Sequence, residues 1–151
     1  MQNTLHTNSI IQKITTICYQ DARSTIGWIE NERMVYTCVK GFLRGENFRK
    51  HNMTLLEVLH KFRATRLLSN LREFHVISVE DQQWAREVLV PLLAEETNLH
   101  GAYIAPVSAL AHQAIDQLAA TARNMGKGNF YLRSFEDEST AHQWLLTSKM
   151  R

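Results

Sequence analysis

The feature that most constrains the fold is a change in hydrophobic periodicity close to residue 45. Before it lie three segments rich in β-branched and aromatic residues, Ile14–Tyr19, Ser24–Glu30 and Met34–Leu43, separated by short polar turns. Such segments are typical of β-strands, and short turns between them join antiparallel neighbours. After Gly45 the apolar residues recur every three to four positions, which is the period of an amphipathic helix. The chain is therefore predicted to begin as a three-stranded meander and then to change its architecture.

The rest of the chain alternates between helical and strand-like patterns. Ser78 opens a Ser-x-x-acid capping box that predicts a helix from Val79, and Pro91 should kink or end that helix because it lacks an N–H. Ser108 is placed to cap the next helix. The order is βββαβαβαβα, which predicts an α/β fold whose right-handed crossovers make the later strands parallel. The predicted elements after the meander are a helix at 46–63, a strand at 66–71, the helix from Val79, a strand at 100–107, the helix after Ser108, a strand at 129–135 and a helix at 138–147.

Composition places the chain among ordinary globular proteins. It has 151 residues, 44% of them hydrophobic and 21% charged, which suits one domain. We expect residues 10–148 to form that domain and residues 1–9 to be flexible. A net charge of +2 gives no general electrostatic reason to bind nucleic acid or anionic lipid. No apolar run is long enough for a transmembrane helix, and residues 1–7 lack the pattern of a signal peptide, so a cytoplasmic protein is expected.

Cysteine and histidine give no metal or cofactor signature. Cys18 and Cys38 are too few for a disulfide framework, and we expect two buried thiols. A pair between them stays open only if their strands are neighbours. None of the seven histidines has the spacing of a zinc motif, and the nucleophile elbow, the Walker loop and the dinucleotide-binding fingerprint do not occur. We therefore expect neither a metal nor a cofactor.

Polar side chains cluster where the predicted parallel strands end, and in open α/β sheets the functional crevice lies at that edge. Asn70, Arg72, His75 and Ser78 follow one strand, and Ser108 follows the next. Asn70 and Arg72 suit a carboxylate or a phosphate. The alternative is structural: Arg72 makes an ion pair, Asn70 closes a turn and Ser78 only caps its helix. A catalytic pair of His75 and Ser78 would need about 3 Å between the side chains and an orienting acid, and no such acid is identifiable.

Four segments of the chain together carry a family resemblance. They are Gly-Glu-x-Phe-Arg at 45–49, Ala-Thr-Arg-Leu-Leu-Ser-Asn-Leu-Arg at 64–72, Val-Ile-Ser-Val-Glu-Asp-Gln-Gln-Trp at 76–84 and Ala-His-Gln-Trp-Leu at 141–145. Over residues 35–146 the chain resembles small bacterial proteins related to the STAS fold of sporulation anti-anti-sigma factors, especially SpoIIAA-like and STAS/SEC14-type proteins. The resemblance implies a STAS-like (SpoIIAA-like) domain with a mixed sheet, about four helices mostly on one side, no cofactor, and a function exercised by binding.

The resemblance also implies a candidate phosphorylation site at Ser78. In the anti-anti-sigma branch a kinase phosphorylates a serine in an Asp-Ser-Ser/Thr-Gly element at the start of a helix, and the added charge breaks docking. In this chain Ser78 follows Ile77 instead of Asp, and the Gly is absent. A phosphate there would lie beside Glu80 and Asp81, although the helix N-terminus offsets part of the repulsion. Related proteins have Asp at the position of Asn70, so an acid–base role for Asn70 is not expected.

These observations favour a non-enzymatic STAS-like domain of the bacterial cytoplasm that acts in regulation through a protein partner. We expect no nucleic-acid partner and no membrane insertion. A homodimer through the meander is also expected, with Tyr19, Trp28 and Tyr36 as an aromatic patch if all three share the face away from the helices. The alternative is that some of them turn inward, because strand parity cannot be fixed from sequence.

The second predicted function is a small-molecule or lipid-binding module, which the SEC14-type relatives suggest. Met34, Phe42, Met53 and Phe62 would then line an apolar cavity between the sheet and the first helix. The competing interpretation is that these residues simply fill the core, as interiors normally are filled.

Overall fold

A six-stranded sheet forms the centre of the protein in a computed structural model that describes residues 9–96, 98–125 and 130–148. The strands lie side by side in chain order. β1, β2 and β3 are antiparallel, and β3 to β6 are parallel, which confirms the predicted meander and mixed sheet. Their bounds are β1 Thr16–Gln20, β2 Ser24–Ile29, β3 Met34–Val39, β4 Arg66–Asn70, β5 Leu99–Ile104 and β6 Phe130–Phe135.

The helices connect the parallel strands and close the chain. α1 (Glu46–Lys61) joins β3 to β4, α4 (Ala109–Met125) joins β5 to β6, and α5 (Glu138–Thr147) follows β6. Between β4 and β5, α2 (Val79–Trp84) continues through a π-helical stretch at Ala85–Leu89 into α3 (Val90–Ala94). Short 3₁₀ turns lie at Ile10–Lys13 and Glu30–Glu32. The element order βββαβαβαβα is thus confirmed, with the predicted second helix divided into α2, the π-helical stretch and α3.

Several element boundaries differ from the sequence prediction. β5 ends at Ile104 instead of residue 107, ahead of Pro106, which has no N–H to give to a neighbouring strand. β3 ends at Val39 instead of Leu43, because Gly41 has a φ of 68° that takes the chain out of the sheet. The irregular part of the second helix lies just before Pro91, where the missing N–H leaves a carbonyl of the preceding turn without its helical donor. Asn129, the predicted first residue of β6, lies outside the described residues, and so do residues 1–8 of the segment 1–9 that is predicted to be flexible.

The core is divided by the sheet into two layers. The parallel strands follow one another in one direction along the sheet. Because the crossovers between them are right-handed, α1, α2, α3 and α4 lie on the same face. α5 and the first 3₁₀ turn cover the other face, which confirms that the helices lie mostly on one side. Successive strand residues alternate between the layers: Leu67 belongs to the same core cluster as Leu59 of α1, and Leu68 to the same cluster as Leu145 of α5.

The three aromatic residues of the meander do not share an exposed face, which corrects the expected dimer patch. Trp28 is 1% exposed and stacks on Phe62, with ring centroids 4.7 Å apart. Tyr36 is buried in the other layer, because Trp28 pairs with Val35 in the register and Tyr36 is the next residue along β3. Tyr19 is half-buried against the same layer as Trp28. The alternative, that these rings turn inward, is the one observed.

The two cysteines are free, half-buried thiols. Cys18 lies in β1 and Cys38 in β3, with β2 between them. Two strand spacings separate the cysteines by about 9 to 10 Å, which is beyond the reach of a disulfide. Within the described part of the chain, no helix is long and apolar enough to cross a membrane.

Candidate functional site

The connections that follow β3, β4 and β5 meet at one edge of the sheet, as expected for parallel strands. His75 N–H donates to the carbonyl of Gly41 at 3.0 Å, and Val107 N–H donates to the carbonyl of Arg72 at 3.1 Å. Gly45 N–H donates to Asp81 Oδ2 at 2.9 Å. These three bonds tie the connections to one another, so the edge is a continuous surface built from separate parts of the chain.

Four large apolar side chains are exposed at this edge. Phe42 is 54% exposed after β3, and Val79 is 75% exposed at the start of α2. Val107 and Leu110, before and within the first turn of α4, are each 70% exposed. We call these four residues the carboxyl-edge surface. Leaving them in water forgoes the free energy of burial, so a grouped exposure of this kind typically marks a contact with another molecule.

His75 and Ser78 lie in this edge but do not form a pair. His75 is exposed, and its ring contacts the edge of the Phe42 ring, with centroids 5.0 Å apart. Ser78 Oγ accepts a hydrogen bond from Asp81 N–H at 3.1 Å and so caps α2. Ser108 precedes α4, and its carbonyl accepts the first helical bond from His112 N–H at 2.9 Å. The capping role predicted for Ser78 is therefore observed, and phosphorylation of Ser78 stays a prediction.

Asn70 takes part in a hydrogen-bond network on the face of the sheet that α5 covers. Its Nδ2 donates to Glu138 Oε2 at 2.8 Å, and Tyr36 Oη donates to the same oxygen at 2.7 Å. Asn70 Oδ1 accepts from the backbone N–H of Arg72 at 3.1 Å. Burial, with the neighbouring Cys38 and Glu138, raises the pKa of Tyr36. The network therefore holds a neutral phenol against a carboxylate and uses the Asn70 amide as a structural link.

A groove of about 820 Å³ opens beside this network. Burial raises the pKa of the Cys38 thiol in its wall, so that thiol stays protonated near neutral pH and is a poor nucleophile. Basic and acidic side chains both line the groove, so its charge gives no preference for an anion. The carboxylate or phosphate site at Asn70 and Arg72 stays a prediction. The charged residues of the groove are Arg23, Lys40 and Arg72 on the basic side and Asp21, Glu73, Glu136, Asp137 and Glu138 on the acidic side.

An apolar cavity of about 120 Å³ lies in the other layer, between the sheet and the helices α1, α3 and α4. None of the four residues predicted to line such a cavity does so. Met34 belongs to the α5 layer, Phe42 and Met53 are exposed, and Phe62 stacks on Trp28. The sequence could not separate these positions because strand parity and helix rotation together decide which side chains face inward.

Sequence reasoning missed two residues that determine the chemistry of the groove and of the cavity. Glu138 joins Tyr36 across 102 positions of the chain, and no local pattern reports such a contact. His51 lines the cavity but reads in sequence as an ordinary helical histidine. A usable signal existed for Val79, Val107 and Leu110, which are apolar residues placed where a predicted helix begins. Among the described residues, no three His, Cys, Asp or Glu side chains come together as a metal site would require.

Comparison with known proteins identifies the fold. No protein-family model matches the sequence, and no curated protein matches it at a significant score. A similar solved structure is that of an uncharacterised DUF3478-family protein with a SpoIIAA-like fold, from Shewanella loihica PV-4. The match covers 84% of this chain and 97% of that chain, with a TM-score of 0.54 and 16% sequence identity. This chain has a SpoIIAA-like fold.

The fold implied by the sequence resemblance is thus confirmed. In this SpoIIAA-like fold, Ser78 lies at the start of α2 and at the edge of the sheet that carries the carboxyl-edge surface. A likeness at 16% identity concerns the fold, so function has to be argued from the chemistry of the surface itself.

Proposed function

We propose that this SpoIIAA-like chain is a non-enzymatic interaction domain of the bacterial cytoplasm that acts in regulation by docking a protein partner on the carboxyl-edge surface. The observation that carries the proposal is the exposure of Phe42, Val79, Val107 and Leu110 at one edge of the sheet. An interface core needs apolar side chains that lose contact with water on binding, and a polar rim around them. His75, which is exposed and contacts the Phe42 ring, supplies a polar group beside these apolar residues.

The organisation of the edge supports a preformed docking site. The backbone bonds at Gly41 and Val107, and the bond from Gly45 N–H to the Asp81 carboxylate, hold the three connections together without the partner. A surface that is ordered before binding loses less conformational entropy on association than flexible loops would. The partner best suited to this surface is a folded protein with complementary apolar side chains.

A lipid fits this chain less well than a protein partner does. The cavity of about 120 Å³ is well below the roughly 300 to 1,000 Å³ of sites for drug-sized ligands, and a lipid tail exceeds such ligands in length. The carboxyl-edge surface is distributed over three connections of the sheet and so fits the face of a protein better than a single acyl chain.

The proposal is tested by placing a charge in the docking surface. The partner is isolated by affinity capture from an extract of the native host, purified, and titrated against this chain by isothermal calorimetry. We expect Val107→Glu and Leu110→Glu each to weaken binding at least tenfold, because a buried unpaired carboxylate opposes an apolar contact. Ile17→Glu is the matched control, since Ile17 is equally a large exposed apolar residue but lies in β1.

Two results would contradict the proposal. One is unchanged affinity in both edge variants with circular dichroism showing them folded. The other is a loss in Ile17→Glu as large as the loss in the edge variants, which would place the contact on the meander. A homodimer through the meander remains a separate prediction, and sedimentation of the unmodified chain tests it.

A further inference from the structure

We propose that the cavity beneath α1 binds a small neutral molecule, an apolar ring or short chain with one hydroxyl group, that hydrogen-bonds to His51. This site is independent of the docking surface, which lies on the outside of the sheet edge. The argument combines the size of the cavity, the chemistry of its walls and the state of one buried histidine.

The cavity sets the size and polarity of the ligand. Its volume of about 120 Å³ equals that of about four water molecules in the liquid. An apolar engineered cavity of about 150 Å³ is known to take up benzene, so a single small ring is the appropriate scale. The walls are mostly aliphatic and aromatic side chains from the sheet, α1, α3 and α4, among them Leu55, Leu67, Phe74, Val90 and Leu118.

His51 supplies the polar contact. Its side chain lines the cavity and the residue is 2% exposed. Nε2 lies 3.0 Å from Thr37 Oγ1, within hydrogen-bond distance. Nδ1 is buried and has no hydrogen-bond partner among the described residues. A buried polar atom without a partner is unfavourable, so a ligand that hydrogen-bonds to Nδ1 gains more than an apolar one of equal size.

The charge state of His51 narrows the ligand class further. Burial lowers the pKa of the imidazole to about 4, against a smaller opposing effect of Asp21. The ring is therefore neutral near pH 7 and offers no charge to hold an acid. A hydroxyl group can donate to or accept from the imidazole, so it suits either tautomer of His51.

Phenol and benzene are the probes that test the proposal, because they differ by one hydroxyl group. Each is titrated into ¹⁵N-histidine-labelled protein and followed by NMR. We expect saturable binding of both, with phenol about fivefold tighter, and a shift of the His51 Nδ1 resonance with phenol but not with benzene. His51→Phe should remove the preference for phenol.

A cavity-filling variant tests whether the two probes bind in this cavity. Ala119→Leu should weaken both probes at least tenfold, since Ala119 lines the cavity. Ala120→Leu, the same change one residue along α4 at a position outside the cavity wall, should leave binding unchanged. The proposal is overturned if neither probe binds saturably, if benzene binds as tightly as phenol, or if Ala119→Leu binds both normally. The labelled unmodified protein gives a decisive result even if a variant fails to fold.

Discussion

Acidification from pH 7.5 to pH 5.0 should destabilise this protein through the buried histidine His51. Burial lowers its pKa from 6.5 to about 4 in the folded chain, whereas the unfolded chain keeps the ordinary value. Between these two values the unfolded state binds a proton that the folded state does not, so the free energy of unfolding falls as the pH falls. At about 1.4 kcal/mol per unit of pKa, the full effect is about 3 kcal/mol, and about 2 kcal/mol of it is lost between pH 7.5 and pH 5.0.

The measurement compares urea unfolding of the wild type and His51→Gln at the two pH values. Glutamine cannot titrate and retains a group that can reach Thr37, so the variant shares every other pH-dependent contribution. The difference in unfolding free energy, wild type minus variant, should fall by about 2 kcal/mol on going to pH 5.0. Equal pH dependence in the two proteins would refute the reasoning. So would an NMR titration that places the midpoint of His51 near 6.5 in the folded chain.

Three further changes have expected outcomes that the packing dictates. Trp28→Ala should lower the free energy of unfolding by about 3 to 5 kcal/mol because the ring is buried against Phe62; a loss below 1 kcal/mol in urea unfolding would contradict that packing. Ser78→Ala should cost about 1 kcal/mol by removing the cap of α2, and Ser78→Asp should largely restore it, since both residues cap well. Equal melting temperatures for the wild type and Ser78→Ala would argue against the cap. Under mild oxidation Cys18 and Cys38 should both remain titratable by a thiol reagent, because β2 separates their strands; a mass two hydrogens lower after oxidation would disprove the strand order.

Ser78 and Asp81 show which contacts a local sequence motif predicts and which it does not. The sequence predicted a capping box, and the hydroxyl of Ser78 does accept from Asp81 N–H. The carboxylate of Asp81 instead accepts from Gly45 N–H, more than thirty positions away, and so joins two connections of the sheet. A hydroxyl that caps its own helix is specified by neighbouring residues. A carboxylate that bridges two elements depends on the packing of both, which no short segment encodes.

The sequence by itself determined the order of the elements, because hydrophobic period, turn residues and caps act over a few positions. It also carried the resemblance that implied a SpoIIAA-like fold. Only the tertiary structure decided which way each side chain faces: Trp28 turned inward, Asn70 joined Glu138, and the packing of α1 on the sheet brought His51 to the cavity. The physical reason is that a strand has two faces, and a shift of one position exchanges them without altering the local preference for a strand.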